Sequence, residues 1–339
     1  MTEKKTITLA HGNGGIQMRK LLHEKVFSML DNSSLREEDD AAVLSASGKG
    51  ELVFTTDSFV VQPLFFPGGD IGHLAVCGTV NDIAMMGGVP EALSLAFIIE
   101  SGLPLEIFEK IIESIKQTAE KAGAKIVTGD TKVVEKGQAD KIYINTSGIG
   151  WKSGQAPTGW RDVRPGDAVI ISGTIGHHGV AVLAARNELP FVTELKSDAA
   201  PVNKTVEKLL EKVPKIRWLR DPTRGGVAAA LNELAEQTNL EIELDEAAIP
   251  VAEDVRGAAE ILGLDPLYLA NEGRFIVVCP PEKAGEVIQL IKEENPEIKP
   301  AKIGTVKPAD SRGRVALSTN YGSSRIIDMP SGEQLPRIC

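Results

Sequence analysis

Glu38-Asp39-Asp40-Ala41-Ala42-Val43 sets carboxylates at a turn and follows them with small and apolar residues. Four further segments place an acidic residue at a turn beside a strand or helix. They are Thr55-Thr56-Asp57-Ser58, Asn81-Asp82, Thr128-Gly129-Asp130-Thr131-Lys132 and Asp221-Pro222-Thr223-Arg224-Gly225-Gly226. A single Asp at a turn ordinarily does no more than hydrogen-bond nearby backbone. Five such turns with Gly or Thr neighbours point further. Converging carboxylates repel unless cations lie between them, and Mg²⁺ prefers oxygen ligands, keeps waters and bridges carboxylates to phosphate. A polyphosphate nucleotide held by Asp residues through Mg²⁺ is the physical reading of the set.

The common nucleotide motifs are absent. No G-x-x-x-x-G-K-[ST] occurs, which excludes a P-loop enzyme. Gly173-Thr174-Ile175-Gly176-His177-His178-Gly179 does not fit G-x-G-x-x-G, so a dinucleotide-binding reading is poor. Gly12-Asn13-Gly14-Gly15 precedes a helix and is read evenly as a phosphate cradle or a flexible lead-in. In Asp221-Pro-Thr-Arg-Gly-Gly the glycines open another helix, whose first amides and Arg224 suit anionic oxygens. His177 and His178 read as turn or core residues, and no His/Cys cluster has zinc spacing.

Outward from these turns, the first half alternates strand-like and helix-like segments. A helix is expected over 17–30, strands over 51–54 and 58–61, a buried helix over 71–86 and a buried strand over 91–99. An amphipathic helix follows over 103–122, with Leu105, Phe108, Ile111, Ile112, Ile115 and Ala119 on its apolar face and Gly123 as its stop. Strands are expected over 125–128 and 141–146. Turn formers crowd 151–165 and mark a boundary. Beyond it, 168–172 reads as a strand entering a glycine-spaced turn. Helices are expected over 202–213, 226–238, 251–262 and 281–294, and strands over 240–244, 274–279 and 301–306. From Tyr321 the chain loses periodicity and reads as a mobile tail. The expected division is 1–155, 156–320 and a tail, 321–339.

Length and composition agree with two α/β layers. The chain has 339 residues, a formal net charge of −10, 42% hydrophobic and 25% charged residues, which excludes disorder and argues against broad contact with nucleic acid. No apolar run is long enough for a membrane span and no secretory signal opens the chain. Three cysteines exclude a disulfide scaffold and fit a reducing, cytoplasmic setting. Cys77 and Cys279 sit in apolar runs and read as core residues, whereas Cys339 is the last residue. A thiol on a mobile tail could carry a group between sites.

The turns together resemble the ATP-binding, two-domain superfamily related to aminoimidazole ribonucleotide synthetase. Asp-Asp-Ala-Ala-Val and Gly-Asp-Thr are its general signals. Cys77-Gly-Thr-Val-Asn-Asp-Ile-Ala-Met-Met-Gly, Thr128-Gly-Asp-Thr-Lys-Val-Val, Ala270-Asn-Glu-Gly-Arg-Phe and the tail Pro336-Arg337-Ile338-Cys339 are similar to its HypE family of hydrogenase maturation factors. The resemblance spans nearly the whole chain. It implies a PurM-like α/β (α+β) architecture, with an N-terminal domain that pairs across a two-fold into a dimer β-barrel, a C-terminal α/β domain, and nucleotide between them. It also implies a chemistry. The carbamoyltransferase HypF places a carbamoyl group on the terminal cysteine, the S-carboxamide is dehydrated to a thiocyanate with ATP, and HypC–HypD receives the cyanide for [NiFe]-hydrogenase iron.

On that resemblance Asp40, Asp57, Asp82 and Asp221 would hold Mg²⁺ and phosphate, with Asn81 and Arg224 beside them. Gly129, Asp130 and Thr131 would line the nucleotide site, Lys132 would stabilise developing charge, Glu272 would be the base and Cys339 the carrier. Surface salt bridges are the bland alternative for Lys132 and Glu272. Two other functions compete. One is a small-molecule ATP-dependent kinase or synthetase of selenophosphate or thiamine-monophosphate type, although His11-Gly-Asn-Gly-Gly lacks the N-terminal cysteine a selenophosphate synthetase often carries. The other is a non-catalytic ATP-bound carrier or scaffold.

Overall fold

The computed structural model describes residues 15–21, 23–24, 40–46, 50–152, 156–157, 159–186 and 194–331. In chain order the first half comprises α1 (Ile16–Leu21), β1 (Ala42–Ala46), β2 (Gly50–Phe59), β3 (Phe65–Phe66), β4 (Gly69–Asp70), α2 (Ile71–Met85), β5 (Gly88–Glu100), α3 (Leu105–Ala122), β6 (Lys125–Val134) and β7 (Ile142–Lys152). The second half has β8 (Ala168–Ile171), α4 (His177–Ala185), α5 (Asn203–Lys212), β9 (Trp218–Arg220), α6 (Gly226–Thr238), β10 (Leu240–Asp245), α7 (Glu253–Leu262), β11 (Ile276–Cys279), α8 (Ala284–Glu294), β12 (Ala301–Pro308), β13 (Arg314–Ser318) and β14 (Ser324–Ile327).

The first half forms a five-stranded sheet in the order β1-β2-β7-β5-β6. Only β5 and β6 run parallel, as a strand–helix–strand unit closed by α3 requires. α2 packs on this sheet. Asp70 caps it by accepting the Gly72 and His73 amides at 2.7 and 3.1 Å. Nearly every α2 side chain is small or apolar and buried, because the helix serves two cores. Ile71, Leu74 and Val80 pack with Phe59, Leu93 and Ile115 in the first half. Ala84 and Met85 pack with Ile170, Val202 and Phe275 of the second.

The second half forms a seven-stranded sheet, β14-β13-β10-β12-β8-β11-β9, in which only β10–β13 is parallel. β8 is apolar throughout because both of its faces are covered. Val169 and Ile171 face the core of α6, with Val227 and Leu231. Ala168 and Ile170 face the core of α5 and α8, with Leu209 and Ile291. Cys77 and Cys279 are fully buried, and burial pushes both thiols up, Cys279 to about 12.

Several expected turns are regular structure. The Thr55-Thr56-Asp57 step lies inside one continuous strand, because β2 pairs with β7 over eight residues from Leu52↔Trp151 to Phe59↔Ile144. Asn81-Asp82 lies in α2, inside the helix expected over 71–86, and Thr128–Lys132 lies within β6. The glycine-spaced turn expected after 168–172 is short: Gly176, at φ +85°, opens α4 (His177–Ala185), for which no helix was expected. The expected 321–339 tail starts too early. β14 pairs with β13 and buries Ile327, and the carbonyl oxygens of Ile327, Asp328 and Pro330 are all hydrogen-bonded. α3 carries the expected stripe through Ile111, Ile115 and Ala119 and stops at Gly123, but Leu105 at its first turn is 69% exposed. Residues 22 and 25–30 of the expected 17–30 helix, residues 12–14 of the glycine-rich segment, and Cys339 lie outside the described residues.

Candidate functional site

A polar pocket lies where the two halves meet. Asp40 approaches β1, and Thr55 and Asp57 lie on β2. Asp82 lies in the last turn of α2, Asp221 and Arg224 in the β9–α6 loop, and Glu272 in the segment before β11; all line the pocket. Single oxygens of Asp40, Asp82 and Asp221 lie within 4.8 Å of one another. Thr55 Oγ1 donates to Asp82 Oδ2 at 2.8 Å, and Arg220 Nε donates to Asp40 Oδ1 at 2.8 Å. Two glycines make the space. A Cβ on Gly78 would come 2.9 Å from the Phe59 ring and 3.4 Å from Asp57 Oδ2, so glycine lets α2 close on β2 without filling the pocket. Gly226 has φ +61°, and a Cβ there would strike the Leu267 and Leu269 carbonyls at 2.5 and 2.6 Å.

Burial and mutual repulsion outweigh the nearby arginines in setting the electrostatics of these carboxylates. Burial pushes Asp82 well up, and Asp221, Asp40 and Asp57 add to the effect against the Thr55 hydrogen bond. Burial likewise pushes Asp221 up to about 6, opposed by Arg220. Asp57 is raised by burial and partly restored by Arg224. Glu272, only 4% exposed, is raised well above the carboxylate range by burial and then by Asp221, Asp198 and Asp57. Its Oε1 is buried with no hydrogen-bond partner among the described residues. Three hard oxygen donors of this kind fit the chemistry of Mg²⁺. A divalent ion there would remove the mutual repulsion.

The pocket thus unites Asp40, Asp57, Asp82, Asp221, Arg224 and Glu272. Asn81 is buried beside it, with its amide engaged by backbone: Nδ2 donates to the Ala200 and Glu272 carbonyls, and Oδ1 accepts from Val202 N–H. Gly129, Asp130, Thr131 and Lys132 lie elsewhere. Ser58, Asn145, Ala96 and Asp130 form one row across four strands, so Asp130 is three strand spacings, about 14 Å, from β2. Asp130 and Lys132 share the opposite sheet face from Asp57, are 66% and 72% exposed, and pair with each other at 3.5 Å. Arg220, Glu233, Thr55 and Gly78 also line the pocket and were not foreseen. Arg220 directly precedes the Asp221 motif, which is the one local signal it had.

The chain matches the AIR synthase related protein family, its N-terminal domain over residues 38–151 and its C-terminal domain over residues 164–316. It is 48% identical to the carbamoyl dehydratase HypE of Rhizobium leguminosarum bv. viciae over 334 residues, 98% of this chain and 95% of that protein. It is 45% identical to the carbamoyl dehydratase HypE of Cupriavidus necator over 333 residues, 98% and 95% of the two chains. A HypE–HypF complex crystal structure superposes with a TM-score of 0.86 at 48% identity, covering 91% of this chain and 99% of that one. A HypE structure in complex with ATP gives 0.81 at 45% identity, covering 98% and 100%. The fold, the acidic inter-domain pocket and these full-length similarities agree, and the chain belongs to the HypE family of AIR synthase related proteins.

Proposed function

We propose that this protein is an ATP-dependent carbamoyl dehydratase that converts an S-carboxamide on its own Cys339 into a thiocyanate, providing cyanide for the iron of a [NiFe]-hydrogenase. The observation that carries the reading is the pocket itself: Asp40, Asp82 and Asp221 within 4.8 Å, with the unpartnered Glu272 carboxyl oxygen beside them, in a chain of this family.

Amide oxygen is a poor leaving group. Attack of the carboxamide oxygen on the γ-phosphorus forms a C–O–P linkage, breaks the γ-phosphoryl bond to ADP and releases one N–H proton. Loss of the second N–H proton then forms C≡N as the C–O bond breaks and phosphate departs. Mg²⁺ held by Asp40, Asp82 and Asp221, with Asp57 nearby, would neutralise the phosphates. Arg224 faces the same space and suits an anionic oxygen. Glu272 is the proton acceptor, and the burial that raises its pKa makes its carboxylate a stronger base.

The tail is rooted at the right place. Ile327 O accepts from Asn232 Nδ2 at 2.9 Å, and Asn232 sits on α6 beside Ala229, Ala230 and Glu233 of the pocket lining. Pro330 O accepts from Ile16 N–H at 3.0 Å. The nine residues from there to Cys339 can extend about 30 Å, a reach that supports delivery of the thiol to the pocket.

We place the domain division at 155/156, after the first sheet closes at Lys152. The active form in this reading is a homodimer. Val127 and Val133 on β6 are 63% and 68% exposed, and Phe54 and Ile98 add further exposed apolar surface on the same sheet. For Gly129, Asp130, Thr131 and Lys132 to serve a nucleotide in the acidic pocket, they must come from the second copy. HypF as carbamoyl donor and HypC–HypD as cyanide acceptor complete the proposal, and its setting is cytoplasmic. Among the described residues no helix is long and apolar enough to cross a membrane.

The direct experiment incubates the protein carbamoylated at Cys339 with MgATP and weighs the C-terminal peptide. Loss of one water from Cys339 is expected, and retention of the carboxamide mass rejects the activity.

A further inference from the structure

Asp40 and Asp82 come from the first half of the chain and Asp221 from the second, so the three-carboxylate array exists only while the halves hold their placement. Arg220 spans that boundary. It ends β9, an edge of the seven-stranded sheet, while Asp40 approaches β1, an edge of the five-stranded sheet. Its Nε donates to Asp40 Oδ1 at 2.8 Å, and its Nη2 donates to Glu233 Oε2 on α6 at 2.7 Å. A guanidinium is planar, so fixing one donor on Glu233 fixes the direction of the other. The gripped Asp40 carboxylate then meets Asp82 and Asp221 in one orientation.

We propose that Arg220 is a positioning residue for the divalent-cation site, anchored by Glu233 and acting through Asp40. The proposal rests on the reading of the pocket as a Mg²⁺ site. Charge and geometry predict opposite signs for its removal. As a charge alone, a cation beside a ligand carboxylate opposes metal binding, and deleting it tightens the site. As a clamp, its deletion loosens the site, by the roughly 10–100-fold usual for groups that orient metal ligands.

The test titrates the full-length protein with Mn²⁺ in the presence of a non-hydrolysable ATP analogue and follows free Mn²⁺ by electron paramagnetic resonance. Arg220→Ala and Arg220→Lys should both raise the Kd for Mn²⁺ by about tenfold or more, because Lys keeps the charge and loses the fork. Glu233→Ala should weaken binding too and add little on top of Arg220→Ala, since both break one unit. Glu233→Gln, whose amide oxygen still accepts from Nη2, should keep most of the affinity. Circular dichroism melts accompany each titration. If Arg220→Ala does not fold, Arg220→Lys and Glu233→Ala decide. Folded Arg220 variants that bind Mn²⁺ as tightly as the parent, or more tightly, overturn the clamp and leave the metal site standing. A parent protein that takes up no Mn²⁺ removes the metal reading and the clamp with it.

Discussion

Asp221→Asn should stabilise the metal-free protein, and the gain should grow with pH. Burial pushes the Asp221 carboxyl up to about 6 from its ordinary 3.8. Below about pH 4 the proton is bound in both the folded and unfolded chain, and the group does not discriminate between them. Between there and pH 6 the unfolded chain releases its proton while the fold retains it, so the fold loses stability as pH rises. Above pH 6 the loss is complete: roughly two pH units at about 1.4 kcal/mol each, or about 3 kcal/mol. Asparagine keeps the shape without the charge. Its advantage should be about 3 kcal/mol at pH 8 and about half of that at pH 5.

Urea unfolding with EDTA, at pH 5 and pH 8, measures that difference. Adding Mg²⁺ and ATP should then close it. A site filled at about a hundred times its Kd stabilises the parent by about 2.7 kcal/mol, and the variant has lost one of the ligands. A variant no more stable than its parent at pH 8 in EDTA would refute the reasoning. It would mean that Arg220 and Arg224 already satisfy the carboxylate and that the pocket does not await a cation.

Glu272→Gln should slow water loss from carbamoylated Cys339 by about 10²–10⁴-fold, with the effect in kcat and not in KM for ATP, as read by single-turnover peptide mass. Val127→Asp, on the exposed β6 strand, should shift sedimentation from dimer to monomer at micromolar protein; an unchanged dimer would move the interface elsewhere. Asp70→Ala should cost about 1–2 kcal/mol in urea unfolding, because the Gly72 and His73 amides lose their cap.

The chemistry was more legible in the sequence than the geometry. The family resemblance and charge type single out Asp40, Asp57, Asp82 and Asp221, and the four meet in one pocket. Asp40 and Asp221 stand in irregular backbone and Asp82 in the helix expected over 71–86, but Asp57 lies inside a strand that its neighbours hide, because an acidic residue flanked by Thr looks like a turn wherever it stands. Thr55-Thr56 is β-branched and favours a strand, and its pairing with β7 outweighs the turn propensity of Asp57. Gly129 sits in a strand for a different reason: a Cβ there would come 2.2 Å from Leu95 O. Arg220 had no pattern of its own, since its ion pair with Asp40 joins residues 180 positions apart and leaves no local periodicity.

Asn81 and Asp82 show why the pocket and the domain interface belong to one device. Neighbours on α2, they do different work: Asp82 faces the proposed cation site, while Asn81 reaches across to the second half. Asn81 Nδ2 holds the Glu272 carbonyl at 3.3 Å, and Asp198 Oδ1 accepts the Glu272 N–H at 3.4 Å. The backbone that aims the proposed base is therefore fixed from both halves of the chain, as the carboxylate array is. A shift of one half against the other would misplace the proposed base and scatter the three carboxylates together. Cation binding and alignment of Glu272 should accordingly rise and fall as one, and Asn81→Ala, which removes no group from the pocket lining, should weaken both.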